Sequence, residues 1–249
     1  MTIKKILTTL FVLIAFRESK AQQNLFNIPS GDITPNKKFF YQHQFNFYKV
    51  DELESKSHVV YGLGGGWDMG INFVDLPLRL NDKRIVSYNS NTSRKPLYPL
   101  LMLTLQKQWK VSEYLEVNVG TQMGSNLSTT IETKRFVFFN YAIARFTPAE
   151  RIHLVAGPYH TNNVFVGGPP DQQIGFMAGY EYKLTKKILL MGDFVSGNHK
   201  KSQTVLGGGY TFGNRVQLFL GALLAYPNKK LQSGLVVELN WFGWDFMKK

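Results

Sequence analysis

From residue 37 onward the sequence alternates between apolar and polar or small residues with a period of two, and after residue 21 no apolar run is long enough to cross a bilayer as a helix. That pattern specifies strands. In lipid, strands can satisfy their backbone hydrogen bonds only by closing into a barrel. Four segments show it most clearly. In Leu115–Met123, Leu115, Val117, Val119 and Met123 share a face with Thr121, opposite Glu116, Asn118, Gly120 and Gln122. In 173–184, Ile174, Phe176, Ala178, Tyr180, Tyr182 and Leu184 oppose Gln173, Gly175, Met177, Gly179, Glu181 and Lys183. In 216–226, Val216, Leu218, Leu220, Ala222 and Leu224 form the apolar face. In 234–242, Leu235, Val237, Leu239 and Trp241 oppose Gly234, Val236, Glu238 and Asn240. About twelve such strands are expected, each near the length that crosses a bilayer at a tilt.

Alternation alone also fits a soluble sandwich, but three further features favour a membrane barrel. The connections alternate in length. Short ones fall at 64–66, 110–113, 147–150, 185–187 and 213–214, and longer polar ones at 51–57, 78–96, 125–134, 160–172, 197–202 and 227–232. Short turns on one side and long loops on the other is the outer-membrane arrangement, with the short side periplasmic. An even strand count then puts both ends of the barrel on that side. Aromatic residues also cluster at the strand ends. Trp67, Trp109, Tyr114, Phe146, Tyr182, Phe212 and Trp244 lie beside the short turns, and Phe47, Tyr98, Tyr159 and Tyr226 near the other ends. Amphipathic rings favour headgroup depth, so these read as two girdles. Finally, the apolar faces are continuous while the opposite faces read as small or polar, the inverse of a soluble barrel.

The N-terminus carries an export signal. Lys4 and Lys5 precede an apolar run from Ile6 to Phe16, and Ser19 and Ala21 place small residues for cleavage before Gln22. Residues 1–21 are therefore expected to be a signal peptide. Residues 22–36, broken by Pro29-Ser30-Gly31 and Thr34-Pro35, read as a periplasmic lead-in, and 37–249 as the barrel. The formal net charge is +12, of which Lys4, Lys5, Arg17 and Lys20 against Glu18 supply +3, leaving +9. A basic chain suits anionic partners, and export argues against nucleic acid. The absence of cysteine excludes disulfides, thiolate metal sites, cysteine nucleophiles and a lipoprotein anchor. No carboxylate or histidine spacing suggests a metal, and no cofactor is expected.

The segments Tyr61–Ile71, Ala144–Leu154 and Tyr210–Leu218 are variations on one hairpin, with an aromatic or leucine at the strand end, a tight polar turn and renewed alternation. Over residues 37–246 this style resembles porin-like Gram-negative outer-membrane β-barrels, including those common in the Bacteroidetes. The final strand, 233–246, is similar to the C-terminal signal read by the barrel-assembly machinery, although it ends Phe246-Met247-Lys248-Lys249 instead of on an aromatic. The resemblance implies an all-β, antiparallel up-and-down transmembrane barrel of about twelve strands (ten or fourteen also fit) in the outer membrane.

Parity assigns an interior set: Gln42, Gln44, Asn46, Asp68, Asn72, Gln106, Glu116, Asn118, Gln122, Arg145, Glu181, Lys183, Asp193, Gln217, Glu238 and Asn240. Acids outnumber bases in it. It reads either as a narrow pore for small solutes with mild cation preference or as a hydrogen-bonded, salt-bridged filling. Interior Gly175, Gly179, Gly207, Gly209 and Gly221 are expected to leave room for a pore. Basic residues gather in the proposed outer loops at Arg79, Lys83, Arg84, Arg94, Lys95, Lys200, Lys201, Lys229 and Lys230, as contacts for lipopolysaccharide phosphates and anions or as solvated loop charge. The 160–172 loop, with Gly167-Gly168-Pro169-Pro170, can fold inward as a constriction or outward as a contact.

Two other classes stay open. One is a closed barrel with a structural or adhesive role. The other is a lipid-modifying barrel enzyme, a lipase or acyltransferase, drawing on His43, His153, His160 or His199 with Ser196 or Ser202. Asn198-His199-Lys200-Lys201-Ser202 does not match the His-x-Ser-Asn-Gly pattern of outer-membrane phospholipases, and no Gly-x-Ser-x-Gly elbow is present. No catalytic residue is therefore assigned.

Overall fold

The computed structural model describes residues 23–50, 52–80, 96–127, 135–167, 172–226 and 232–245. Twelve antiparallel strands run in chain order: β1 (Phe39–Phe47), β2 (Glu52–Gly64), β3 (Trp67–Arg79), β4 (Leu100–Lys110), β5 (Leu115–Asn126), β6 (Phe136–Ala149), β7 (Ile152–Thr161), β8 (Ile174–Lys183), β9 (Ile188–Val195), β10 (Thr204–Phe212), β11 (Val216–Leu224) and β12 (Gly234–Phe242). Each pairs with its sequence neighbours, and β1 pairs with β12 from Phe40↔Phe242 to Phe47↔Leu235, so the sheet closes into an up-and-down barrel. The four-residue helix α1 (Asn163–Val166) lies in the β7–β8 loop. No helix among the described residues is long and apolar enough to cross a membrane.

Short turns and both ends of the barrel chain share one rim, and the longer connections share the other. Around the whole circumference the outward positions are large and apolar, for example Ile71, Leu103, Val119, Phe176, Leu190, Leu220 and Leu239, all left exposed by the protein itself. A water-soluble protein does not expose a continuous band of this kind, whereas a lipid-facing wall requires one.

Of the residues expected to form a girdle at the short-turn rim, Trp67, Trp109, Tyr114, Phe146 and Phe212 point outward and are exposed, and Tyr182 is half-buried on the same face, the orientation a girdle needs. Trp244 departs from it. It packs on Phe242, with ring centroids 5.2 Å apart, beside the buried Phe40 and Val60 at the β1–β2–β12 seam. Tyr98 and Tyr159 are likewise buried and turned inward. Proximity to a strand end places a ring at the right depth, but the pleat decides which wall it faces.

Two strand limits also differ from expectation. Residues 51–57 read as a loop because they are charged, yet β2 begins at Glu52. Its charges face a polar mouth, where strand structure tolerates them. The final strand ends at Phe242, not 246.

Candidate functional site

The sixteen residues assigned inward by parity all lie on the luminal face. Gln42, Gln44, Asn46, Asp68, Asn72, Gln106, Asn118, Arg145, Glu181, Asp193, Gln217, Glu238 and Asn240 are buried, and Glu116, Gln122 and Lys183 half-buried. They form ladders down the wall: Gln44 Nε2 to Asn46 Oδ1 at 2.7 Å, Asn240 Nδ2 to Glu238 Oε1 at 3.0 Å, and Asn72 Nδ2 to Gln122 Oε1 at 3.0 Å. Lys183 reaches the Glu150 carbonyl of a short turn at 3.4 Å.

What these residues face is not an open channel. Residues 23–36, read from sequence as lying outside the barrel, fold into its lumen as a plug. The segment turns back on itself, with Asn24 bridging Pro29 and Leu25 N–H bonded to the Ile28 carbonyl at 2.9 Å. Its described ladder contact with the wall is the bridge Asn36↔Gly62. Otherwise it is held by side chains. Asp68 accepts from Thr34 N–H at 3.0 Å and from Gln23 Nε2 at 2.9 Å. Arg145 Nη1 lies 2.7 Å from Asp32 and 2.9 Å from Glu116. Gln106 and Gln108 donate to the carbonyls of Asp32 and Gly31 at 2.8 and 2.6 Å, and Asn24 donates to Gln42 at 2.7 Å.

The interior glycines take a different role in consequence. A Cβ on Gly179 would sit 2.4 Å from Leu25 Cδ1, and one on Gly207 would sit 2.7 Å from Phe26 Cζ. Gly221 is likewise bounded by Phe26, while Gly175 and Gly209 lie under the rings of Tyr159 and Phe219. They make room for the plug and for large neighbours, not for an empty pore. The expectation of a small or polar inner face is corrected in the same way. Met102, Phe139, Met177, Met191, Phe219 and Val236 are inward and buried, and together with Leu25, Phe26 and Ile28 they form one core. Apolar residues face the lumen where the plug and loops cover them.

The long-loop mouth narrows as well. Val164, Phe165 and Val166 of α1 are buried, the Val164 carbonyl accepts from Leu97 N–H at 3.1 Å, and Tyr98 donates to the Phe165 carbonyl at 2.7 Å. The 160–172 loop therefore folds inward over its described part; 168–171 lie outside the described residues.

Outside this constriction lies a vestibule of about 300 Å³, and beneath it a cavity of about 100 Å³ against the plug. Lys56 and Lys201 line both. Lys201 pairs directly with buried Asp75, whose other oxygen is 3.9 Å from Lys56 Nζ. Burial in the loop pushes the Lys201 ammonium down to about 8 against the opposing pull of Asp75.

Lys56 and Asp75 were missed from sequence for identifiable reasons. Lys56 fell in a stretch read as loop. Asp75 has outward parity with Trp67, Met69, Ile71 and Phe73, but the register shifts between Ser57↔Phe73 and Ser55↔Leu76, and Asp75 takes φ 52° in that bulge and turns inward. The signal was present: an aspartate at the end of a lipid-facing row demands a bulge.

Among the basic loop residues, Lys201 is largely buried and turned inward as the ion-pair partner of Asp75. Arg79 and Lys200 are half-exposed on the vestibule, 4.0 Å from Glu52 and 3.6 Å from Glu54. Lys83, Arg84, Arg94, Lys95, Lys229 and Lys230 lie outside the described residues, as does the leader.

The histidines are engaged structurally. Lys201 N–H donates to His199 Nδ1 at 3.2 Å, His199 Nε2 meets Tyr159 Oη at 2.7 Å, and Tyr159 donates to the Ser196 carbonyl at 2.8 Å. Ser196 and Ser202 hydroxyls accept from Phe176 and His199 N–H, closing the 196–203 loop. His43 faces outward against Ser57 at 2.8 Å, His153 contacts Arg145 and Thr147, and His160 packs on Phe138.

No protein-family model matches the sequence, and no curated protein matches it. Solved structures share its fold. The NanC porin aligns with a TM-score of 0.56 at 9% identity over 83% of this chain and 100% of that one. The KdgM porin aligns with a TM-score of 0.54 at 9% identity over 82% and 98%. The COG4313 outer membrane channel from Pseudomonas putida F1 gives 0.50 at 11% identity over 90% and 99%. The twelve-stranded barrel of this chain is thus similar in fold to Gram-negative outer-membrane porins.

Proposed function

We propose that this protein is an outer-membrane channel for small solutes, closed at rest by its own N-terminal segment. In this reading the short-turn rim faces the periplasm, and the lipid-facing wall is assembled by the barrel-assembly machinery. The observation that carries it is the plug's seat. Apart from the bridge Asn36↔Gly62, the described plug residues are held by side chains and not by the sheet ladder. The plug can leave without breaking a barrel strand pair. The wall beneath it is suited to water: Asn118 Nδ2 and Oδ1, Gln217 Oε1 and Asn240 Oδ1 are buried without a partner among the described residues. Such atoms cost about 1–3 kcal/mol each if kept dry. The barrels of similar fold include proteins named as porins and a channel, which agrees with passage of solutes. Arg79 and Lys200 line the vestibule, which favours a role toward solutes over lipopolysaccharide.

The chain has no native cysteine, so a clean lock can be built. Leu25→Cys with Gly179→Cys joins plug to wall where a Cβ at 179 would lie 2.4 Å from the Leu25 Cδ1 that the substitution removes. In planar bilayers the oxidised protein should be silent, and the reduced protein should show discrete, salt-dependent steps. Silence in both states, with heat-modifiable gel migration confirming a folded barrel, would instead establish a permanently closed barrel with a structural or surface-binding role.

A further inference from the structure

We infer that Lys56 is an oxyanion sensor for the plug: a small carboxylate or phosphate entering from the long-loop mouth takes the Lys56 ammonium from Asn27 and frees the plug tip. The inference rests on the plug-gated reading and names its trigger.

The plug tip is clamped at Asn27. Its N–H donates to Asp193 on β9, and its Oδ1 accepts from Lys56 Nζ on β2 at 2.8 Å. Lys56 is largely buried, with 19% of its side chain exposed, and its nearest carboxylate oxygen among the described residues is 3.9 Å away on Asp75. The close partner of this ammonium is thus a neutral amide. The neighbouring acids are more directly compensated, Asp75 by Lys201 and Glu54 by Lys200 at 3.6 Å. An arriving anion can therefore replace the neutral close partner of Lys56 with a charged one. Hydrogen bonds with both partners ionised are roughly twice as strong as neutral ones. The exchange is a simple displacement: the ammonium keeps its protons, the oxyanion replaces Asn27 Oδ1, and Asn27 regains water.

The geometry gives the ligand a route and limits its size. Lys56 lines both the outer vestibule of about 300 Å³ and the inner cavity of about 100 Å³, so an anion reaches it without the plug moving first. The vestibule lies at the lower limit of small-molecule sites, which restricts the ligand to a small one. Lys201 lines the same two spaces and adds a second positive charge at the passage.

The test uses the refolded full chain in a planar bilayer at constant ionic strength, with inorganic phosphate or acetate added on the long-loop side. Open probability should rise with either anion, showing that the shared oxyanion chemistry suffices; a response to phosphate alone would narrow the trigger to phosphates. Lys56→Gln should abolish the response. Asn27→Ala should raise open probability without anion. Asn27→Asp, which gives the plug its own carboxylate, should raise the half-maximal anion concentration by about tenfold. If the Leu25→Cys/Gly179→Cys protein conducts once reduced but ignores both anions, or if Lys56→Gln responds normally, the sensor is refuted while the gated channel stands. If releasing the lock changes nothing, the gated reading itself fails.

Discussion

At the residue scale, the pleat assigns each side chain one of two solvents, and a single substitution reports which. Leu239 is outward on β12 between His43 of β1 and Leu218 of β11. Leu239→Arg should destabilise the folded barrel by about 2–4 kcal/mol, because a guanidinium near mid-bilayer must be carried out of water. Reversible urea unfolding from lipid vesicles measures it, and a neutral effect would show that the outer face does not meet lipid. The inner face obeys different rules. Glycine at 179 and 207 exists there because a neighbouring segment presses against the wall, so the same residue type that is slack in a loop is here a fitted surface. Asp75 shows how a single bulge moves a charge from the wrong solvent to the right one.

At the element scale, the plug and the sheet are separable. Excising residues 23–36 while keeping β1 should leave a heat-modifiable barrel that conducts without any added anion; loss of the folded band on gels would mean the plug is an essential part of the core. The strands were legible in the sequence because lipid and lumen impose a strict period of two, and all four of the clearest segments are strands with the expected faces. The sixteen luminal residues followed from the same parity. The plug was not legible. Gln23 to Asn36 has no period to read, and an irregular segment with Pro29, Gly31 and Pro35 gives no sign of whether it lies inside or outside. Its apolar tip, Leu25, Phe26 and Ile28, was the available clue, since three large apolar residues seek a core. Lys56 and Trp244 were misplaced for the same reason at smaller scale: polarity or chain position was read where only the facing wall decides.

At the scale of the whole molecule, the two mouths differ. At the short-turn rim Phe40, Val60, Phe242 and Trp244 pack together at the seam, whereas the long-loop rim carries opposed charges around a vestibule. Lys201 sits at that entrance with its ammonium pushed down to about 8, burial outweighing Asp75. It is therefore protonated below that pH and neutral above it. Raising the pH from 7 to 9 on the plug-excised barrel should remove one positive charge from the passage and shift the reversal potential in a potassium chloride gradient toward potassium. Lys201→Met should flatten the shift, and an unchanged potential in the parent would remove Lys201 from the conducting path. The join at Asn36, immediately before β1, has a further consequence. A blocker attached to the wall it blocks is an internal competitor whose effective concentration is set by its tether, on the order of millimolar for short flexible links. It cannot be diluted or titrated away by making more protein. In the proposed gated channel each copy would therefore open at the same solute level, and flux would follow the number of channels without moving the threshold at which they open.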